Sequence, residues 1–154
     1  MPSTIHRQPR ESWAGGYTFI LSFIFDFPIF SALQVFYLSL QGKSACEGYD
    51  TTFSINNISD HELLGDAIKK NIIDNSLFIA NWSLTESPLS FRKKIHPFLS
   101  KFDNVLIAFK DTFEEVNNIE YIETFKKIFE HEMKWISYEM PFQPGNYYLI
   151  GTKN

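Results

Sequence analysis

The sequence predicts an α/β protein: a mostly parallel sheet with helices on both faces, extended by an antiparallel hairpin at the C-terminus. Three observations carry this. Leu77 to Ala80 and Val105 to Phe109 are short apolar runs without charge, as expected of strands buried on both faces. Segments with apolar residues at helical spacing alternate with them. The last two strand-like runs, Trp135 to Met140 and Tyr147 to Thr152, are separated only by Pro141 to Asn146. That is room for a hairpin and too little for a crossover, so these two strands should be antiparallel.

In chain order, Met1 to Gly16 holds Pro2, Pro9 and Gly15-Gly16 without periodicity and reads as a poorly ordered arm. Residues 17–154 read as one domain, in keeping with a length of 154 residues. Tyr17 to Phe25 has a strand composition that stops at Asp26-Phe27-Pro28. Beyond the proline, Ile29, Leu33, Phe36 and Leu40 recur at helical spacing, with Phe30 and Tyr37 beside them. Gln41 to Asp50 reads as a loop and Thr51 to Ile55 as a short strand ending in Asn56-Asn57. Asp60 to Lys70 reads as a helix with Leu63, Leu64, Ala67 and Ile68 on one side.

After the strand at Leu77, Ser87 is placed as an N-cap and Pro88 at the first helical position. Ile95, Phe98, Leu99 and Phe102 continue that helix's apolar stripe, and Pro97 should kink it or end its first part near His96. Asn118 is expected to cap a helix that lines up Ile122, Phe125, Phe129 and Met133.

Composition narrows the function. A net charge of −4 provides no broad field for nucleic-acid phosphates. Cys46 is the only cysteine, which excludes an internal disulfide and fits a reducing, cytoplasmic compartment. His6, His61, His96 and His131 are scattered, with no ligand spacing, so no metal site is expected. Phe19 to Leu40 is apolar, but Asp26 and Pro28 inside it argue against a membrane span. Sixteen Phe residues give a core that leaves sticky surface wherever an element is missing.

The chemistry-bearing residues fall at strand ends, where open α/β sheets bind ligands. Asp26 closes the first strand; its two oxygens match a vicinal diol, and an N-cap role is the structural alternative. Asn56 and Asn57 close the next strand and suit either an adenine edge or a turn. Asn81, Trp82, Ser83, Thr85 and Glu86 offer an aromatic ring, hydroxyls that orient a substrate, and a carboxylate that can serve as a general base. Arg92, Lys93 and Lys94 read as a solvated helix face with no role.

Asp26-Phe27-Pro28, Leu33-Gln34, Tyr37-Leu38, the run Leu77 to Glu86 with Arg92, and Leu106 to Phe109 together resemble the later part of class I S-adenosylmethionine-dependent methyltransferases. They are most similar to bacterial sugar O-methyltransferases. The resemblance covers about Phe23 to the C-terminus and implies a Rossmann-like sheet, incomplete at its N-terminus. It implies S-adenosyl-L-methionine as cofactor and a sugar or glycan hydroxyl as acceptor, with oligomerisation left open. It assigns Asp26, Phe27, Asn56, Asn81 and Trp82 to the cofactor, and Glu86 and Ser83 to catalysis.

The family's first strand and glycine-rich loop should precede the acidic residue by about 20 positions, whereas Gly16 lies ten before Asp26. Ala14-Gly15-Gly16 is at most a remnant of that loop. Without the first strand its neighbours must pair directly, accept the N-terminal arm as a substitute, or leave an apolar edge. Three readings stay open: an enzyme, a non-catalytic truncated domain that binds a partner, and a nucleotide-binding module without transferase chemistry.

Overall fold

The computed structural model of the chain describes residues 3–7, 21–71 and 75–154. Its contacts divide into two compact units, Pro2–Ser76 and Leu77–Asn154.

The first unit contains β1 (Ser3–Arg7), β2 (Leu21–Phe25), α1 (Pro28–Leu40), β3 (Ala45–Glu47), β4 (Ile55–Ile58) and α2 (His61–Asn71). β4 lies between β3 and β2 and is parallel to both, while β1 adds to β2 antiparallel, Ser3 opposite Phe25 and Arg7 opposite Leu21. The N-terminal arm thus supplies a strand where the sequence led us to expect an irregular tail. The other arm positions, with Ala14-Gly15-Gly16, and residues 17–20 of the expected first strand lie outside the described residues.

Phe23, Ala45, Ile58, Leu64, Ala67 and Ile68 form the buried interior. Asp60 starts α2 as its pattern predicts, Oδ1 accepting from the N–H groups of Glu62 and Leu63 at 2.8 Å each. The strand expected at Thr51 to Ile55 begins instead at Ile55. Asp50 Oδ1 accepts from both the N–H and the hydroxyl of Thr52, at 2.9 and 2.8 Å, and this local turn outweighs the β-propensity of two threonines. β3 falls in what read as loop.

The second unit contains β5 (Ser76–Asn81, whose first residue ends the first unit), α3 (Leu89–Leu99), β6 (Asn104–Lys110), the short pair β7 (Thr112–Phe113) and β8 (Val116–Asn117), α4 (Asn118–Ile128), β9 (Met133–Glu139) and β10 (Asn146–Lys153). β5 is parallel to β6; β6 pairs antiparallel with β10, and β10 with β9. The terminal hairpin is therefore as predicted. Across the described strands the pairing is mixed: α/β as expected, with β2/β4, β3/β4 and β5/β6 parallel and β1/β2, β6/β10 and β9/β10 antiparallel.

Ile95, Leu99 and Phe102 of the predicted stripe are buried, as are Ile122, Phe125, Phe129 and Met133. Both predicted caps shift by one residue. Ser87 turns its hydroxyl back onto the Leu84 carbonyl at 2.6 Å, and Pro88 takes the cap position. Asn117, not Asn118, caps α4, its Oδ1 accepting from Glu120 N–H at 3.1 Å, which leaves Asn118 free to turn inward. α3 runs through Pro97 to Leu99; so near the helix end, and on an exposed residue, the forgone ladder bond is readily replaced by water.

Among the described residues no helix is long and apolar enough to cross a membrane.

Candidate functional site

β5 ends at Asn81, and the chain turns at once through Trp82 with φ 59°. A non-glycine residue there costs on the order of 1–2 kcal/mol, so its surroundings must fix it. Its N–H donates to the Ala108 carbonyl of β6 at 2.8 Å, and its carbonyl accepts from Glu86 N–H at 2.8 Å and Thr85 Oγ1 at 3.1 Å. The indole N–H reaches Asn146 Oδ1 on β10 at 3.3 Å. Leu84 and Thr85 are buried under this turn, while Asn81 and Glu86 are exposed and Ser83 is half-buried. The turn thus presents an amide, a carboxylate and the half-buried ring of Trp82 at the C-terminal end of β5.

What holds the turn is Arg92, which the sequence placed on a solvated face. It is the largest fully buried side chain among the described residues. Lys93 and Lys94 are exposed as expected. The Arg92 guanidinium donates from Nε to the Ser87 carbonyl at 2.8 Å, from one terminal nitrogen to the Thr85 carbonyl, and from the other to Asn118 Oδ1 at 2.7 Å. Asn118 Nδ2 donates in turn to the Lys110 carbonyl at 3.0 Å, tying the end of β6 to the same group.

The Tyr121 ring covers the guanidinium, 4.6 Å from its carbon to the ring centroid, a cation–π contact that replaces a carboxylate with an uncharged face. The Tyr121 hydroxyl shares a 2.9 Å hydrogen bond with His96 Nε2. Burial lowers the pKa of Arg92 and, followed by the charge of Lys93, that of His96; burial raises the pKa of Tyr121, partly opposed by Arg92. The shift favours the neutral form of His96, whose ring packs edge-on to Phe125 and Phe129. This cluster can fix the turn; it offers no exposed donor to a ligand.

In the first unit, Asp26 follows β2, its N–H donating to the Ile58 carbonyl of β4 at 3.3 Å. The half-buried carboxylate accepts from Phe27 N–H at 2.8 Å on Oδ1 and from Gln34 Nε2 at 2.9 Å on Oδ2. Each oxygen keeps a second acceptor direction. Phe27 is 73% exposed beside it. Asn56 is fully buried: Oδ1 accepts from Asp50 N–H at 2.6 Å and from Cys46 Sγ at 3.6 Å, while Nδ2 donates to the Phe53 carbonyl at 3.1 Å. Its polar atoms are spent on the β3–β4 connection, where burial, followed by the charge of Asp50, raises the pKa of the Cys46 thiol and keeps it a donor. Asn57 is equally buried, and its Oδ1 has no hydrogen-bond partner.

The predicted residues therefore gather in two places: Asp26 and Phe27 after β2, with Asn56 held inside the neighbouring strand, and Asn81 to Glu86 in one turn after β5. Arg92, Asn118, Tyr121 and His96 were missed. The signal for Arg92 was in its spacing: positions 92, 95 and 99 form one helical face, and two of the three are apolar core. Among the described residues no group of His, Cys, Asp or Glu could hold a metal ion. Comparison with protein-family models, with curated proteins and with solved structures finds no match.

Proposed function

We propose that the chain is a Rossmann-like, S-adenosylmethionine-dependent O-methyltransferase of a reducing, cytoplasmic compartment, acting on a sugar or glycan hydroxyl. The observation that carries this reading is Asp26: a carboxylate at the C-terminal end of a parallel strand, half-buried, with one acceptor direction open on each oxygen. Two adjacent acceptors suit the paired hydroxyls of a ribose. Phe27 offers an exposed ring for a flat base. Asn56 fits a cofactor role poorly, because a ligand would have to displace the bonds that close the β3–β4 connection.

S-adenosylmethionine would supply an electrophilic methyl group. The chain's part is then positioning and proton removal. Glu86, exposed and fixed through its backbone to Trp82, accepts the proton of the acceptor hydroxyl. Ser83 orients that hydroxyl, and Trp82 provides an apolar wall for a sugar face.

The test compares Asp26→Ala and Asp26→Asn with the unaltered chain by titration with S-adenosylhomocysteine. We expect affinity to fall at least about tenfold for both, since loss of one charge-assisted acceptor pair is worth about 1.5–3 kcal/mol. Unchanged affinity removes the ribose assignment.

A second reading, a non-catalytic domain that binds a partner, is favoured by the exposed apolar face of α1.

A further inference from the structure

α1 is turned inside out relative to its own sequence. Ser31 is its only fully buried residue, with Gln34, Val35 and Leu38 half-buried on the same side. The strongly apolar side faces outward: Ile29 is 74% exposed, Leu33 47%, Phe36 57% and Leu40 68%, with Phe30 and Tyr37 flanking them at 50% and 56%. Neighbouring parts of the core show no such inversion; α2 buries Leu64, Ala67 and Ile68.

The spacing identifies the kind of partner. Ile29, Leu33, Phe36 and Leu40 are separated by steps of four, three and four, the seam spacing of a helix that meets another helix knobs-into-holes. Phe30 and Tyr37 lie seven apart and widen the seam on one side. The helix PIFSALQVFYLSL carries no charge at all. A partner helix is thus not selected by complementary charge, and a symmetric copy brings no like charges together. The same lack of basic residues disfavours a membrane surface, which amphipathic helices meet with Lys and Arg on the polar side. The exposed side chains of this helix face offer on the order of 600 Å², at about 150–250 Å² for each aromatic. That is comparable with the ~800 Å² that each partner contributes to a standard interface.

We propose that the outward face of α1 is the interface of a homodimer, formed by packing Ile29, Leu33, Phe36 and Leu40 against the same helix of a second copy. The dimer requires nothing of cofactor binding, so its test is independent of the methyltransferase reading.

Sedimentation equilibrium of the purified full chain over about 1–100 µM, a range in which interfaces of this size associate, should give a species of twice 18.0 kDa. Leu33→Glu and Phe36→Glu should each weaken the dimer at least about tenfold, as expected for a charge at the centre of an interface. Both positions are exposed, and circular dichroism should be unchanged. As a second readout, L33C or F36C in a Cys46→Ser background should form an intermolecular disulfide on mild oxidation, while K127C, on the exposed side of α4, should not. A monomer throughout that range, open-ended aggregates in place of a dimer, or a dimer indifferent to both charged substitutions overturns the proposal. So does a monomer that instead partitions onto vesicles containing phosphatidylserine.

Discussion

Arg92→Ala is expected to unfold the second unit or leave it barely stable. The side chain is fully buried, and its removal strands three acceptors that it alone is seen to satisfy: the Thr85 and Ser87 carbonyls and Asn118 Oδ1. Each buried polar group left unpaired costs about 1–3 kcal/mol, and the vacated volume adds a cavity term. The sum, on the order of 4–10 kcal/mol, rivals the ~5–15 kcal/mol that holds a domain together. Arg92→Lys keeps the charge, but an ammonium cannot reach three acceptors in the plane of a guanidinium, nor lie flat on Tyr121. It should recover only part of the loss. Urea denaturation followed by circular dichroism measures both. A midpoint for Arg92→Ala near that of the unaltered chain would mean that the turn after β5 holds itself.

Gly151→Val should also destabilise the second unit, less than Arg92→Ala and for a different reason. Gly151 lies opposite Trp135 in the β9–β10 pair. A Cβ there would sit 2.3 Å from Trp135 Cζ3 and 2.8 Å from Cε3 and Cη2, well inside van der Waals contact. Trp135 cannot simply swing away, because its ring is held edge-on against Phe125 at 5.4 Å, and Phe125 is fully buried. Overpacking of this kind costs about 1–3 kcal/mol per insertion. Gly151→Ala should already lower the unfolding midpoint, and Gly151→Val lower it further. The tryptophan emission should shift with them. Equal midpoints for all three chains would show that Trp135 has room to move.

Arg92 marks a limit of what the sequence could tell. The strands at Leu77 and Val105, the hairpin and the helical stripe through Ile122 and Phe125 were legible because each rests on a local period or a chain-length limit. Asp26 and the turn from Asn81 to Glu86 were legible as strand ends. Arg92 was misread because a run of three basic residues suggests solvent, while burial depended on acceptors at Thr85, Ser87 and Asn118. α1 was legible as a helix from its period, but period says only that one face is apolar, not whether that face meets this chain's own sheet. Ser87 and Asn118 were assigned to caps one residue away from the true ones, since adjacent polar residues compete for the position and tertiary contacts decide. β1 had no signal of its own, because five residues among prolines and polar groups become a strand only when β2 presents an edge.

The central claim, a site for an S-adenosyl ligand, is tested most directly by titrating S-adenosylhomocysteine into the folded chain by calorimetry, with thermal unfolding in parallel. The account predicts saturable binding at one site per chain and a rising unfolding temperature, because a ligand bound only by the native state stabilises it. A folded chain that neither binds nor gains stability would contradict it.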